Sequence, residues 1–143
     1  MKVYQHRRSV GQCAYHLVLV PKYRHKVFAD EQVKKTCVIV LSDLAKQLGC
    51  FVQAIQVMDD HVHLFLDMDY KLPLPKVYQK LKGTSSRVLL LYFPYLRKKY
   101  FWGGHFWSKG KFFRTVGCVT DETVKRYIEQ SQSKYLQKSL QDF

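Results

Sequence analysis

An α+β protein is expected here: a ferredoxin-like (RRM-like) antiparallel sheet with helices on one face, plus a C-terminal helix carrying a tyrosine. Three observations predict it. The 143 residues fit one domain, 1–143, long enough to bury a core. Hydrophobic residues make up 47 % of the chain and aromatics 15 %, the composition of a packed globule. The apolar period also alternates between two and three-to-four residues, in the order strand, helix, two strands, helix, strand, helix.

"AYHLVLV", Ala14 to Val20, is short, apolar and closed by Pro21, which reads as the first strand. Asp30 is a suitable N-cap for "EQVKKTCVIVLSDLAKQLG", in which Val33, Cys37, Val40, Leu41, Leu44 and Leu48 recur at helical spacing up to Gly49. "CFVQAIQVM" and "HVHLFLDMD" flank "DD", the pattern of two antiparallel strands and a tight turn. After Pro75, "KVYQKLKGTSSRVLLLYF" reads as a second helix, weakened at Gly83 and ended before Pro94. "FWSKGKFFRTVGCV" is expected to be extended, with a turn around Lys109 and Gly110. Thr120 then caps "DETVKRYIEQSQSKYLQ", whose Asp121 and Glu122 suit the positive end of a helix dipole.

A formal net charge of +13 calls for a polyanionic partner, nucleic acid first. The basic residues are dispersed rather than gathered on one amphipathic helix, and no apolar run is of membrane-spanning length, so no membrane role is expected. Cys13, Cys37, Cys50 and Cys118 form no C-x-x-C pair and read as ordinary reduced thiols. A soluble, cytoplasmic protein is the expectation.

The most chemical stretch is "VMDDHVHLFLDMD", Val57 to Asp69. Side chains at i and i+2 of a strand share a face, so His61 and His63 can converge on one cation while Val62 points into the core. They can equally be two polar-face histidines, since H-x-H alone is a weak signal. Asp59 and Asp60 stand beside them and could add a carboxylate. A metallo-β-lactamase pattern is excluded by the missing Asp-His continuation. A two-histidine phosphodiesterase is excluded because no histidine is followed two places later by Ser or Thr.

If a metal faces phosphate there, the attacking group is either water or a side chain, and Tyr127 in "TDETVKRYIEQSQ" is a candidate. Packing beside Val124, Ile128 and Tyr135 is the alternative role for it. Gln130 lies one helical turn on, its amide oxygen able to serve as a third metal ligand, and Lys125, Arg126 and Lys134 add positive charge.

Five segments in order, "YHLVLVPKYRHKVF" (15–28), "VMDDHVHLFL" (57–66), "LKGTSSRVLLLYFPYL" (81–96), "FWSKGKFFRTVG" (106–117) and "VKRYIEQSQ" (124–132), resemble the small single-tyrosine transposases of insertion sequences with hairpin ends. These are the insertion sequence 200/605 transposases of the HUH nuclease superfamily. The resemblance implies a transposase that cuts and rejoins single-stranded DNA at hairpin-marked ends. It makes His61 and His63 paired ligands of Mg²⁺ or Mn²⁺, and Tyr127 the nucleophile that becomes linked to a DNA 5′ phosphate. It also implies a homodimer in which the C-terminal helix, about 120–138, is exchanged between subunits. One position departs from the pattern: the family's ligand Gln, four residues after the tyrosine, is Ser131 here, which leaves Gln130, with Asp59 as the alternative, to complete the metal's ligands.

For holding DNA, Lys82, Ser85, Ser86 and Arg87 of "LKGTSSR" could grip phosphates from a helix face, with Gly83 allowing close approach. "HFWSKGKFFRT" interleaves Phe106, Trp107, Phe112 and Phe113 with Lys109, Lys111 and Arg114; alternation along a strand buries every second aromatic, and Trp107, Lys109, Lys111 and Arg114 are the residues expected to meet a single strand. Two competing readings remain. One is a non-catalytic RNA-binding domain on the same sheet; the other is a domesticated HUH nuclease acting on chromosomal palindromes.

Overall fold

A computed structural model describes residues 2–3, 12–69, 71–101, 104–117 and 126–130. The strands are β1 (Lys2–Val3), β2 (Gln12–Leu19), β3 (Phe51–Val57), β4 (Val62–Asp69) and β5 (Phe112–Gly117), and the helices α1 (Glu31–Gln47), α2 (Leu74–Tyr92) and α3 (Tyr95–Lys99). They form one antiparallel sheet in the order β1-β3-β4-β2-β5. Apart from the two-residue β1, this is the expected ferredoxin-like α+β arrangement, with the two long strands β2 and β4 at its centre.

Helix α1 begins where Asp30 accepts the backbone N–H groups of Gln32 (3.0 Å) and Val33 (3.4 Å), satisfying donors that have no partner in the first turn. It ends in a Schellman arrangement: Cys50 N–H bonds the Ala45 carbonyl and Gly49 N–H that of Lys46. Gly49 takes φ +82° there, a conformation that glycine adopts without steric cost. Helix α2 runs unbroken through Gly83, where an added Cβ would meet only open space. Burial of Val77, Leu81, Ser85 and Leu89 at four-residue spacing holds it to the sheet and outweighs the glycine's low helix propensity.

The two faces of the sheet differ. Leu17, Leu19, Leu64, Leu66 and Met68 point to one side, where they form the main core with α1, α2 and a cluster of Phe28, Phe101, Phe106 and Trp107. The opposite face carries a smaller cluster of Ala14, Ala54, Phe65 and Ile128, with Val116 and Tyr127 packed against it. Residues 126–130 are helical and lie on this second face. The remainder of the helix expected at 120–138, including Thr120, Lys125, Ser131 and Lys134, is outside the described residues.

One expectation is corrected. Cys37 and Cys50 are free, buried thiols, but Cys13 is disulfide-bonded. Spacing along a chain does not report proximity across a folded sheet, so scattered cysteines were no evidence of four reduced thiols. No helix among the described residues is long and apolar enough to cross a membrane.

Candidate active site

The second face carries the polar side chains that the core face excludes. Strand alternation puts His63, Phe65 and Asp67 of β4 on it, and the register sets His63 opposite Val18 and Gln56, and His16 opposite Phe65 and Arg114. His61, just before β4, turns its ring toward that of His63 at 4.9 Å between centroids and 82° between planes. Both rings are buried, at 5 % and 1 % exposure.

The hydrogen bonds determine which nitrogen each ring can offer. His61 Nδ1–H donates to Asp60 Oδ1 at 2.7 Å, and Asp60 Oδ2 accepts from Arg24 at 2.9 Å. Burial pushes the Asp60 carboxyl up, but His61 and Arg24 outweigh it and hold the group below the usual carboxylate range. With Nδ1 of His61 engaged as donor, Nε2 is the ring nitrogen left to meet a ligand. Nε2 of His61 and Nε2 of His63 are both buried with no hydrogen-bond partner among the described residues. Two orphaned imidazole nitrogens on facing rings suit a divalent cation, and a carboxylate behind the ligating ring is a recurrent support of such sites. Among the described residues no group of three or more His, Cys, Asp or Glu is gathered to hold a metal. Gln130 is exposed on the helical segment, and Asp59 is exposed in the turn, its carbonyl accepting Phe28 N–H at 3.0 Å.

Tyr127 is brought to the same face. Its hydroxyl lies 3.1 Å from His16 Nδ1, and His16 Nε2 lies 2.8 Å from His63 Nδ1. His16 is fully buried, stacked on Phe65 at 4.4 Å. Burial, with Arg114 adding to it, pushes His16 down to about 3. Burial, with His16 and His61 adding, does the same to His63. Both rings are therefore neutral near pH 7. Sequence reasoning missed His16, Arg24 and the supporting role of Asp60. His16 stood in "AYHLVLV" as one residue of an apolar strand, and only its alternation with Ala14 and Val18 hinted that it faced His63.

A second feature lies on the other side of the sheet. Helix α2 and the segment around 104–111 enclose a groove of about 910 Å³, lined among others by Lys76, Arg87, Arg97, Lys109 and Lys111. The DNA-contact expectations divide here. Arg87, Lys109 and Lys111 are exposed and line the groove. Ser86 also lines it, its hydroxyl accepting Phe106 N–H at 3.0 Å.

Ser85 and Trp107 are both buried, the indole N–H donating to Ser85 Oγ at 2.8 Å, and of the two Trp107 lines the groove. Lys82 is likewise half committed, its ammonium donating to the carbonyls of Ser108 and Gly110. Arg114 sits on β5 opposite His16, on the histidine face and not in the groove. Of the aromatics in that stretch, Phe113 is the exposed one, at 44 %.

Comparison with known proteins shows the family and the fold. The family model described as "Transposase IS200 like" matches residues 9–131. The chain is 37 % identical to the ISDra2 transposase TnpA of Deinococcus radiodurans over 90 % of each chain. It is 29 % identical to the transposase for insertion sequence element IS200 of Salmonella typhimurium, over 84 % of this chain and 80 % of that one. Among solved structures, it is similar to a transposase from D. radiodurans R1 determined at 1.90 Å, with TM-score 0.69, 35 % identity and coverage of 89 % and 96 % of the two chains. The fold is also shared, at 9 % identity and TM-score 0.58, with a REP-associated tyrosine transposase bound to a REP hairpin, covering 90 % of this chain and 69 % of that one. The chain belongs to the IS200-like transposase family.

Proposed function

We propose that the protein cuts one strand of DNA at the hairpin-marked ends of an insertion sequence, stores the 5′ end on Tyr127, and rejoins it elsewhere. The observation that carries this reading is the convergence of His61, His63 and the Tyr127 hydroxyl on one face, the two histidines with orphaned Nε2 atoms. His61 and His63 would hold a Mg²⁺ or Mn²⁺ ion, with Gln130, or else Asp59, as the protein's third ligand. When bound, such an ion polarises the scissile phosphate and neutralises its developing charge.

The rest is the chain's own chemistry. Arg24 and Asp60 fix the His61 ring, and the hydroxyl oxygen of Tyr127 attacks phosphorus. As the bond from that oxygen to phosphorus forms, the bond from phosphorus to the 3′ oxygen breaks. The departing 3′ oxygen becomes a hydroxyl, its proton balancing the one lost by the phenol. The phosphodiester energy is conserved in the tyrosyl ester, so the reverse step on a new 3′ hydroxyl rejoins the strand.

The groove lined by Arg87, Lys109 and Lys111 is proposed to hold the phosphates of the hairpin, and the exposed Phe113 to stack a base. A homodimer completes the proposal, with the helix about 120–138 of each copy laid on the other copy's sheet. In the single chain residues 126–130 lie on their own sheet, and exchange would set the same helix from a second copy at the same face.

The test uses single-stranded oligonucleotides copied from both flanks of the gene, incubated with protein and Mn²⁺ and resolved on denaturing gels. A slow-migrating protein–DNA species is expected, absent with Tyr127→Phe, with His61→Ala combined with His63→Ala, and with chelator. Tight binding without that species, on flanks that carry hairpins, would favour the binding-module alternative.

A further inference from the structure

Three rings are linked in series by the two bonds that His16 makes. His63 Nδ1 meets His16 Nε2 at 2.8 Å, and His16 Nδ1 meets the Tyr127 hydroxyl at 3.1 Å. His16 is fully buried and clamped against Phe65, so its ring cannot turn away to other partners without unpacking the face. Burial of a polar ring in an apolar cluster of Ala14, Ala54, Phe65 and Ile128 is costly unless both nitrogens are used. Here both are.

We propose that His16 is the positioning residue that couples the cation site to the nucleophile: it accepts a hydrogen bond from His63 and donates one to the oxygen of Tyr127. The inference rests on the tyrosine chemistry proposed above and extends it to a residue outside the H-x-H pair and the tyrosine helix. The direction of the relay follows from its end. A His63 ring that gives the lone pair of Nε2 to a cation must carry its proton on Nδ1, and that proton points at His16 Nε2. His16 must then carry its own proton on Nδ1, which faces Tyr127. The phenolic oxygen accepts from His16, which orients a lone pair and favours negative charge on that oxygen. His16 is thereby no acceptor for the phenol's proton, which passes to solvent and is balanced by protonation of the departing 3′ oxygen.

Two amide substitutions divide the relay at its middle. An Asn side chain sets its amide nitrogen near the place of Nδ1, keeping a donor for Tyr127 and losing the acceptor for His63. A Gln side chain reaches the place of Nε2 with its amide oxygen, keeping the acceptor for His63 and losing the donor to Tyr127. His16→Asn, His16→Gln and His16→Phe, the last preserving the stack on Phe65, are compared after their folds are checked by circular dichroism.

Mn²⁺ affinity, read by electron paramagnetic resonance without DNA, is expected to stay close to wild type in His16→Gln and to fall about tenfold or more in His16→Asn and His16→Phe, the usual cost of losing a partner behind a metal ligand. The single-turnover rate of covalent adduct formation at saturating Mn²⁺ is expected to run the other way, with His16→Asn retaining most of it and His16→Gln and His16→Phe losing about a hundredfold, the low end of what a hydrogen bond to a reacting oxygen contributes. Equal losses in both amide variants, or no loss in either quantity, would overturn the relay. A wild-type protein that binds Mn²⁺ but forms no adduct would instead remove the proposed tyrosine chemistry, and the affinity comparison would still decide the half of the relay that joins His63 to His16.

Discussion

Asp60 holds one end of the histidine pair as His16 holds the other. Its two oxygens are divided between His61 and Arg24, and Arg24 reaches it from a loop in which Tyr23 and Arg24 both have positive φ, +59° and +53°. Two successive non-glycine residues in the left-handed region carry strain that the surrounding structure must hold. Asp60→Ala, which frees the His61 ring, should weaken Mn²⁺ binding by about tenfold, measured by the same resonance titration. An affinity equal to wild type would mean that His61 is oriented by its packing alone. At this scale the sequence was partly legible. His61 and His63 announce themselves by spacing, and Tyr127 by the polar residues near it. His16 and Arg24 do not, because their partners lie 47 and 36 residues away and only the register of β2 with β4, and the fold of the loop after it, brings them in.

At the scale of elements, caps and periods spoke plainly. Asp30 and Gly49 bound α1 because one supplies an acceptor and the other a positive φ. Asp30 also accepts a hydrogen bond from the Tyr95 hydroxyl of α3. That bond, against an opposing effect of burial and with help from the Val33 and Gln32 N–H groups and Lys99, holds the carboxyl below its usual range. A carboxyl lowered by folding stabilises fully above its unfolded value of 3.8 and loses that contribution as pH falls through the lower folded value. Asp30→Ala should therefore cost about 1 kcal/mol at pH 7, and denaturation curves of the two proteins should converge as the pH drops below about 4. A constant difference down to pH 2 would contradict the capping account. What the element pattern hid was the division of the aromatics in "HFWSKGKFFRT". The bridge between Pro21 and Trp107 and the bond from Ser108 N–H to the Val20 carbonyl turn Phe106 and Trp107 inward, a pairing with a distant strand end that no local period encodes.

For the whole molecule, the charge of +13 acquires a location. Helix α2 and the segment 104–111 gather part of it into a groove on the side of the sheet away from the histidines. A double change of Lys109→Gln and Lys111→Gln should weaken hairpin binding and reduce the slope of log affinity against log salt by about 2, if each contacts a phosphate. An unchanged slope in a salt titration would move the DNA elsewhere. Composition predicted the polyanion but could not say where it lies, because basic residues dispersed along a chain converge only through folding.

Helix exchange is tested by mixing Tyr127→Phe with the double variant His61→Ala, His63→Ala, each inactive alone. Adduct in the mixture is the outcome that exchange predicts, and its absence would leave each helix on its own sheet.

The central claim is that Tyr127, and not water, attacks the phosphate beside the histidine pair. The wild-type adduct formed on a flank oligonucleotide with Mn²⁺ would be digested with nuclease and protease and sequenced by tandem mass spectrometry. The account predicts a single modified peptide with a nucleotide 5′ phosphate esterified to Tyr127, and a free 3′ hydroxyl on the released strand. A nucleotide on another residue, or cleaved DNA carrying no protein at all, would contradict it.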